Sequence, residues 1–155
     1  MLDYQGIYHT GVRVAHLETA MDELGAGLGV SWCRIQEREQ PVWLPGAGAT
    51  TIPLRFTYSA EGPQHIELLE GAPGSIWDGR EQPGVHHVGV WSDDVAGDTA
   101  RLLGLGWRLL VAGKAPEEGY GGFTYVLPPS GMLVELVSSA AQPMFARWFA
   151  GGDLR

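Results

Sequence analysis

His87-Val88-Gly89-Val90 is a second copy of His9-Thr10-Gly11-Val12, which lies 78 residues earlier. In each copy a histidine opens a short run rich in β-branched residues, the composition of a strand, and a segment of helical period follows. In the first copy, strand alternation over residues 7–15 puts Val12 and Val14 on one face and His9, Gly11 and Arg13 on the other. The period then changes. Leu17, Ala20, Met21, Leu24 and Leu28 fall at i, i+3, i+4, i+7 and i+11, the stripe of an amphipathic helix of about three turns. Gly25, Gly27 and Gly29 loosen it and then stop it.

The same order of elements recurs outward from each histidine. In the first half, residues 31–39 read as a strand and 43–48, with Pro45 and two glycines, as a loop. Residues 51–58 and 64–70 read as two further strands, joined by the turn Glu61-Gly62-Pro63. Residues 71–84 carry four glycines and two prolines and read as a linker. In the second half, residues 85–92 form the strand and Asp94 is the expected helix cap. Val95, Thr99, Leu102 and Leu103 form the helical stripe. Strands follow at 107–112, 123–127 and 132–137, with a glycine-rich loop at 113–122 expected to be mobile and a turn at Pro128-Pro129-Ser130-Gly131. Both halves therefore read β-α-β-β-β. Ile66-Glu67-Leu68 matches Val134-Glu135-Leu136 at an offset of 68. A tail follows in which Met144, Phe145, Trp148 and Phe149 have helical spacing, expected to pack on the sheet or on a partner subunit.

Bulk properties exclude several classes of function. The chain has 155 residues, 45% hydrophobic and 18% charged, enough for one globular domain with a core of its own. Cys33 is the only cysteine, so neither an intrachain disulfide nor a cysteine-rich zinc site can form. Net charge is −8 and the ten basic residues are scattered, which argues against nucleic acid and anionic membranes as partners. The N-terminus lacks the basic and apolar regions of a signal peptide, and no run approaches the ~20 apolar residues of a membrane span. A cytoplasmic protein acting on a small molecule is the expectation.

Glu67 and Glu135 are the residues that demand chemistry. Each is a carboxylate on an otherwise apolar strand, where it is costly unless paired, hydrogen-bonded or bound to a cation. The duplication adds His9 and His87 to them. Two neutral imidazoles and two carboxylates make a neutral set around a divalent ion, and such ligands suit Zn, Ni, Fe, Co or Mn. His65 shares a face with Glu67 and competes with it as a ligand. His86 adjoins His87 but points to the opposite face, and is read as structural.

On His9-Thr10-Gly11-Val12, Ile66-Glu67-Leu68-Leu69-Glu70, His87-Val88-Gly89-Val90 and Leu133-Val134-Glu135-Leu136, residues 7–138 resemble the vicinal oxygen chelate superfamily. That group contains glyoxalase I, methylmalonyl-CoA epimerase, extradiol dioxygenases and antibiotic-resistance proteins. The resemblance implies an α+β fold in which two βαβββ modules form a cupped, eight-stranded mixed sheet, followed here by a short C-terminal helix. A single domain is implied, with modules at 7–70 and 85–138, linker 71–84 and tail 139–155. It implies His9, Glu67, His87 and Glu135 as ligands to one divalent ion per site, and a homodimer.

The implied chemistry is proton abstraction next to a carbonyl through an enolate that the ion stabilises, as in an isomerase, an epimerase or a glyoxalase-like lyase. Glu135 is the candidate base. In epimerase-like relatives a glutamate of the second strand takes part, and Glu39, or Glu37 beside it, stands in the matching region. Two alternatives stay open. An Fe(II) extradiol-type dioxygenase would use a His-His-Glu subset of these positions. A non-enzymatic, antibiotic-binding protein would stack its ligand on aromatic side chains, of which six are tryptophans here.

Overall fold

Residues 1–155 are described by a computed structural model. In chain order the elements are β1 (Ile7–Arg13), α1 (Leu17–Leu28), β2 (Gln36–Leu44), β3 (Gly48–Tyr58), β4 (His65–Gly71), β5 (Gly84–Ser92), α2 (Val95–Gly104), β6 (Arg108–Ala112), β7 (Phe123–Leu127), β8 (Val134–Ser138) and α3 (Gln142–Phe149). The strands form one closed mixed sheet of eight, ordered β1-β4-β3-β2-β6-β7-β8-β5. The α+β fold and its duplicated β-α-β-β-β order are therefore as the sequence led us to expect. The chain sorts into two compact units. One comprises Met1–Tyr8, Pro41–Thr51 and His87–Ala141, the other His9–Gln40, Ile52–His86 and Gln142–Arg155.

In the unit built on the first repeat, β1 runs parallel to β4, and β3 runs antiparallel to β4. One face of β1 and β4 receives α1. Leu17 and Leu68 are fully buried there, with Val12, Val14, Met21, Leu24 and Ile66 packed around them. The helix starts on a borrowed cap. His16 makes no side-chain cap, and the Leu17 backbone N–H instead donates to Glu70 Oε2 at 2.7 Å, placing a carboxylate at the positive end of the helix. Leu28, counted in the apolar stripe from its spacing, is 63% exposed. It is the last helical residue before Gly29, whose φ of 72° turns the chain away.

The opposite face of this half is covered by α3. Trp148 is fully buried against Phe56 and Tyr58, with ring centroids 5.8 and 5.4 Å away, and Phe149 stacks on His65 at 3.8 Å. The tail thus packs on the sheet of its own chain.

The unit built on the second repeat has the same plan. β5 runs parallel to β8, and β6, β7 and β8 are antiparallel neighbours. Asp94 caps α2 by accepting from the Gly97 N–H at 2.9 Å. Leu102 packs with Val90, Val126, Val134 and Leu136, and Val88, Trp107 and Leu109 close the cluster. Residues 41–51 belong to this unit and not to the first repeat, because Trp43 of β2 pairs with Ala112 of β6.

Three local expectations are corrected. The second strand lies later than the pattern suggested, at Gln36–Leu44, so Trp43 and Leu44 extend a strand and the turn is confined to residues 45–47. Gly46 and Gly48, with φ of 81° and 82°, make the tight reversal that a side chain would strain. The 71–84 segment is a packed loop and not a loose linker. Trp77 is 2% exposed and its carbonyl accepts from the Gly71 N–H at 3.0 Å. Gly79 lies so close to β1 that a Cβ would come within 2.4 Å of the Val14 backbone. The 113–122 loop is likewise built on hydrogen bonds, Gly113 N–H to the Phe123 carbonyl and Lys114 N–H to the Tyr120 carbonyl, both at 2.9 Å.

Asp78 organises the 71–84 loop. It accepts from the backbone N–H of Gly74 at 2.8 Å and of Arg80 at 3.0 Å. These bonds, that from Gly74 foremost, hold its carboxyl below the usual carboxylate range. A depressed folded-state pKa contributes stability above the ordinary carboxylate pKa of about 4, and that stability is lost as pH falls through the folded value. Thermal melts between pH 7 and pH 3 should therefore show a steeper acid loss in the wild type than in D78N. Parallel curves would remove Asp78 from the acid response.

Candidate metal centre

The strand registers explain why each histidine meets its glutamate. In the first repeat Gly11 of β1 lies opposite Glu67 of β4, and in the second Gly89 of β5 lies opposite Glu135 of β8. Each histidine sits two residues before its glycine and so shares its face. Glycine leaves that face bare opposite the carboxylate, and the imidazole one step away leans across to it. His9 Nε2 lies 3.7 Å from Glu67 Oε1, and His87 Nε2 lies 3.0 Å from Glu135 Oε2. Both imidazoles are fully enclosed, and the glutamate side chains are 9% and 13% exposed. Glu67 Oε1 and Glu135 Oε2 are themselves withdrawn from solvent.

Each pair by itself offers one imidazole nitrogen and one carboxylate oxygen of metal-ligating type. Metal–ligand bonds of about 2.0–2.2 Å put adjacent ligand atoms about 3.0–3.6 Å apart and opposite ones about 4.2 Å apart. The 3.0 Å separation of His87 and Glu135 is that of adjacent ligands on one ion, and the 3.7 Å separation of His9 and Glu67 is slightly wider. The donor set also has the right chemistry. A carboxylate withdrawn from solvent is costly, and in each repeat the imidazole beside it together with a divalent cation would compensate it.

The neighbouring candidates separate cleanly. His65 pairs in register with His9, but its ring turns to α3. Its Nδ1 donates to the Ser59 carbonyl at 2.7 Å, its ring stacks on Phe149, and burial holds its pKa below the usual histidine value. His86 falls on the face of β5 that carries Val88 and Val90, which pack toward α2.

Glu39 does not join the cluster. On β2, Arg38 lies over the Phe56 ring at 4.9 Å, on the side that α3 covers, whereas Glu37 meets Arg55 at 2.9 Å on the other side. Alternation puts the exposed Glu39 with Glu37, turned from the face that holds His9 and Glu67. Of the six tryptophans, Trp148 and Trp77 are core residues, Trp32 donates its indole N–H to the Met21 carbonyl at 2.9 Å, and Trp91 stacks on Tyr8 at 3.8 Å. These are packing roles.

Two tyrosines beside the cluster escaped the sequence reading. Tyr58 is the register partner of Glu67, and Tyr125 is the register partner of Glu135. Each is 2% exposed, with its ring against the histidine of its own repeat: centroids are 5.1 Å apart for Tyr58 and His9, and 4.9 Å for Tyr125 and His87.

The one cysteine lies apart from this chemistry. Cys33 is buried, and that burial, with a smaller push from the Glu61 carboxylate, raises its thiol to about 11. At pH 7.5 the thiolate fraction is then roughly one in three thousand, against about one in ten for a free cysteine. Reaction with a thiol-specific disulfide reagent should be at least ~100-fold slower than for free cysteine at that pH. A rate near that of the free thiol would mean that the segment around Cys33 opens readily.

Residues 8–126 match the family model described as glyoxalase/bleomycin resistance protein/dioxygenase superfamily. The chain belongs to that superfamily. Among solved structures, a variant of Streptomyces coelicolor methylmalonyl-CoA epimerase in complex with 2-nitronate-propionyl-CoA is similar with a TM-score of 0.62 at 24% identity, covering 91% of this chain and 97% of that one. Methylmalonyl-CoA epimerase from Mycobacterium tuberculosis is similar with a TM-score of 0.58 at 19% identity, over 94% and 97% of the two chains. A hypothetical protein from Bacillus halodurans C-125 reaches 0.62 at 16% identity, over 86% and 93%. At these identities the likeness is one of fold. A search of curated proteins matched none.

Proposed function

We propose that His9, Glu67, His87 and Glu135 together hold one divalent ion, and that the protein is an isomerase or epimerase, or a glyoxalase-like lyase, that removes a proton next to a carbonyl group. The observation that carries this reading is the duplicated histidine–glutamate pair, in each repeat an imidazole nitrogen 3.7 or 3.0 Å from a carboxylate oxygen withdrawn from solvent. Membership of the superfamily supports it, as do solved neighbours named as methylmalonyl-CoA epimerases. When bound, a divalent ion supplies Lewis acidity for the carbonyl oxygen of the substrate.

The chain's own residues do the rest. His9, His87 and Glu67 fix the position of the substrate oxygen relative to Glu135. Glu135 takes the proton: its side chain keeps the larger exposure of the two glutamates, 13% against 9%, so it is the carboxylate with more room to meet substrate. Returned by Glu135 to the neighbouring carbon, the proton gives an isomer; an epimer forms when a second donor delivers a proton to the opposite face while Glu135 keeps the first.

The test is solvent deuterium exchange followed by NMR. Metal-loaded protein should incorporate deuterium next to the carbonyl of a 2-methyl-branched acyl-CoA or a 2-hydroxy ketone, and E135Q should lower that rate by at least ~100-fold. Ring cleavage of a catechol by iron-loaded protein, with no exchange in any carbonyl compound, would replace this reading by the dioxygenase one.

A further inference from the structure

We infer that Tyr58 is a positioning residue for His9, fixing which imidazole nitrogen faces the metal centre, and that the C-terminal helix α3 holds Tyr58 in place. The inference rests on the metal reading above and extends it to residues outside the ligand set.

The geometry is direct. Tyr58 Oη lies 3.5 Å from His9 Nδ1, and His9 Nε2 is the nitrogen on the side of Glu67, 3.7 Å from its Oε1. A histidine that donates from Nδ1 to an oxygen keeps Nε2 unprotonated, with its lone pair directed at the ion. The hydroxyl of Tyr58 is the oxygen in that position. The tyrosine ring has little freedom to move. Its centroid is 5.5 Å from Phe145, 5.4 Å from Trp148 and 5.8 Å from Phe149, all of α3.

The second repeat provides an independent instance of the arrangement. Tyr125 pairs with Glu135 as Tyr58 pairs with Glu67, is as deeply buried, and lies against His87 as Tyr58 lies against His9. A buried tyrosine opposite the glutamate and beside the histidine is therefore part of the duplicated unit. In the first repeat α3 covers it, a support that comes from outside the repeat.

The experiment compares wild type, Y58F and F145L by competition titration with Co²⁺, with melting curves and with nitrogen NMR of His9 in metal-free protein. Y58F keeps the ring and removes the hydroxyl. It should weaken Co²⁺ binding about 10-fold and shift His9 toward the Nε2-protonated tautomer, at a melting temperature within a few degrees of wild type. F145L keeps the hydroxyl but loosens the α3 packing that holds it, and should weaken Co²⁺ binding about two- to threefold, short of the loss in Y58F. Binding by Y58F within twofold of wild type, or an equal loss in F145L, overturns the inference. Should the wild type take up no Co²⁺, the metal reading fails, and the tautomer measurement alone decides the contact: an unchanged tautomer ratio in Y58F overturns it.

Discussion

His87→Ala lowers Co²⁺ or Zn²⁺ affinity by more than about 100-fold, whereas His86→Ala changes it by less than about threefold. Residues that merely orient a metal ligand are worth about 10–100-fold, so removal of a ligand exceeds that range. The contrast between adjacent histidines isolates the cause, because both lie on β5 and only the face differs. His87 is fully enclosed, 3.0 Å from Glu135, and its loss leaves that carboxylate short of a neighbour in a buried place. His86 shares its face with Val88 and Val90, and truncation there touches packing but not the ligand set. Competition titration with a chromophoric chelator measures the difference. A second readout comes from linkage, since a ligand present at 100 times its Kd stabilises the folded state by about 2.7 kcal/mol. Metal should raise the melting temperature of the wild type and H86A, but not of H87A. Equal losses in both variants would mean that the strand faces are assigned the wrong way round, and metal-independent melting in all three would remove the ion from the proposal.

The facing of His86 and His87 was legible because a strand's period is strict and the sequence carries the strand twice. The same doubling made the four ligand-type residues legible: a lone histidine or glutamate on a strand says little, but the same pair at matched offsets says that one fold is used twice. The supporting tyrosines were not legible for a related reason. Tyr58 stands nine residues before Glu67, and Tyr125 stands ten before Glu135. Their equivalence depends on the lengths of the turns between antiparallel strands, which only the register reveals. Where Glu39 points depends on the phase of alternation. Gln36–Leu44 exposes the charged run Glu37-Arg38-Glu39, which reads as a strand's ragged end, and nothing in it shows that Arg38, and not its neighbours, turns to Phe56. The 71–84 segment was misread for a different reason. Glycine marks flexible chain and close approach alike, and Gly79 is of the second kind, packed against the backbone of Val14.

Trp148→Ala should destabilise the protein by about 3–5 kcal/mol, the range for truncating a fully buried large aromatic. For a chain of this size that corresponds to a fall in melting temperature of roughly 10 °C or more. Trp148 is fully buried, and Phe56, Tyr58, Phe145 and Phe149 meet its ring at centroid distances of 5.4–6.2 Å. Alanine leaves a cavity that neither α3 nor β3 can collapse without moving aromatic neighbours on both sides. The indole N–H makes no contribution to this loss, because Trp148 Nε1 is buried without a hydrogen-bond partner. An unsatisfied buried donor costs about 1–3 kcal/mol. W148F discards that cost while keeping most of the apolar area, so its stability should lie within about 1 kcal/mol of wild type. Urea titrations of the two variants therefore test two things at once. A large loss in W148A with a small one in W148F identifies α3 as packed against the first repeat, held by shape and not by polar contacts. Losses of similar size in both would show that the indole nitrogen bonds to something after all. A loss below about 1 kcal/mol in W148A would detach α3 from the core, and with it the support we assign to Tyr58 and, through Tyr58, to His9.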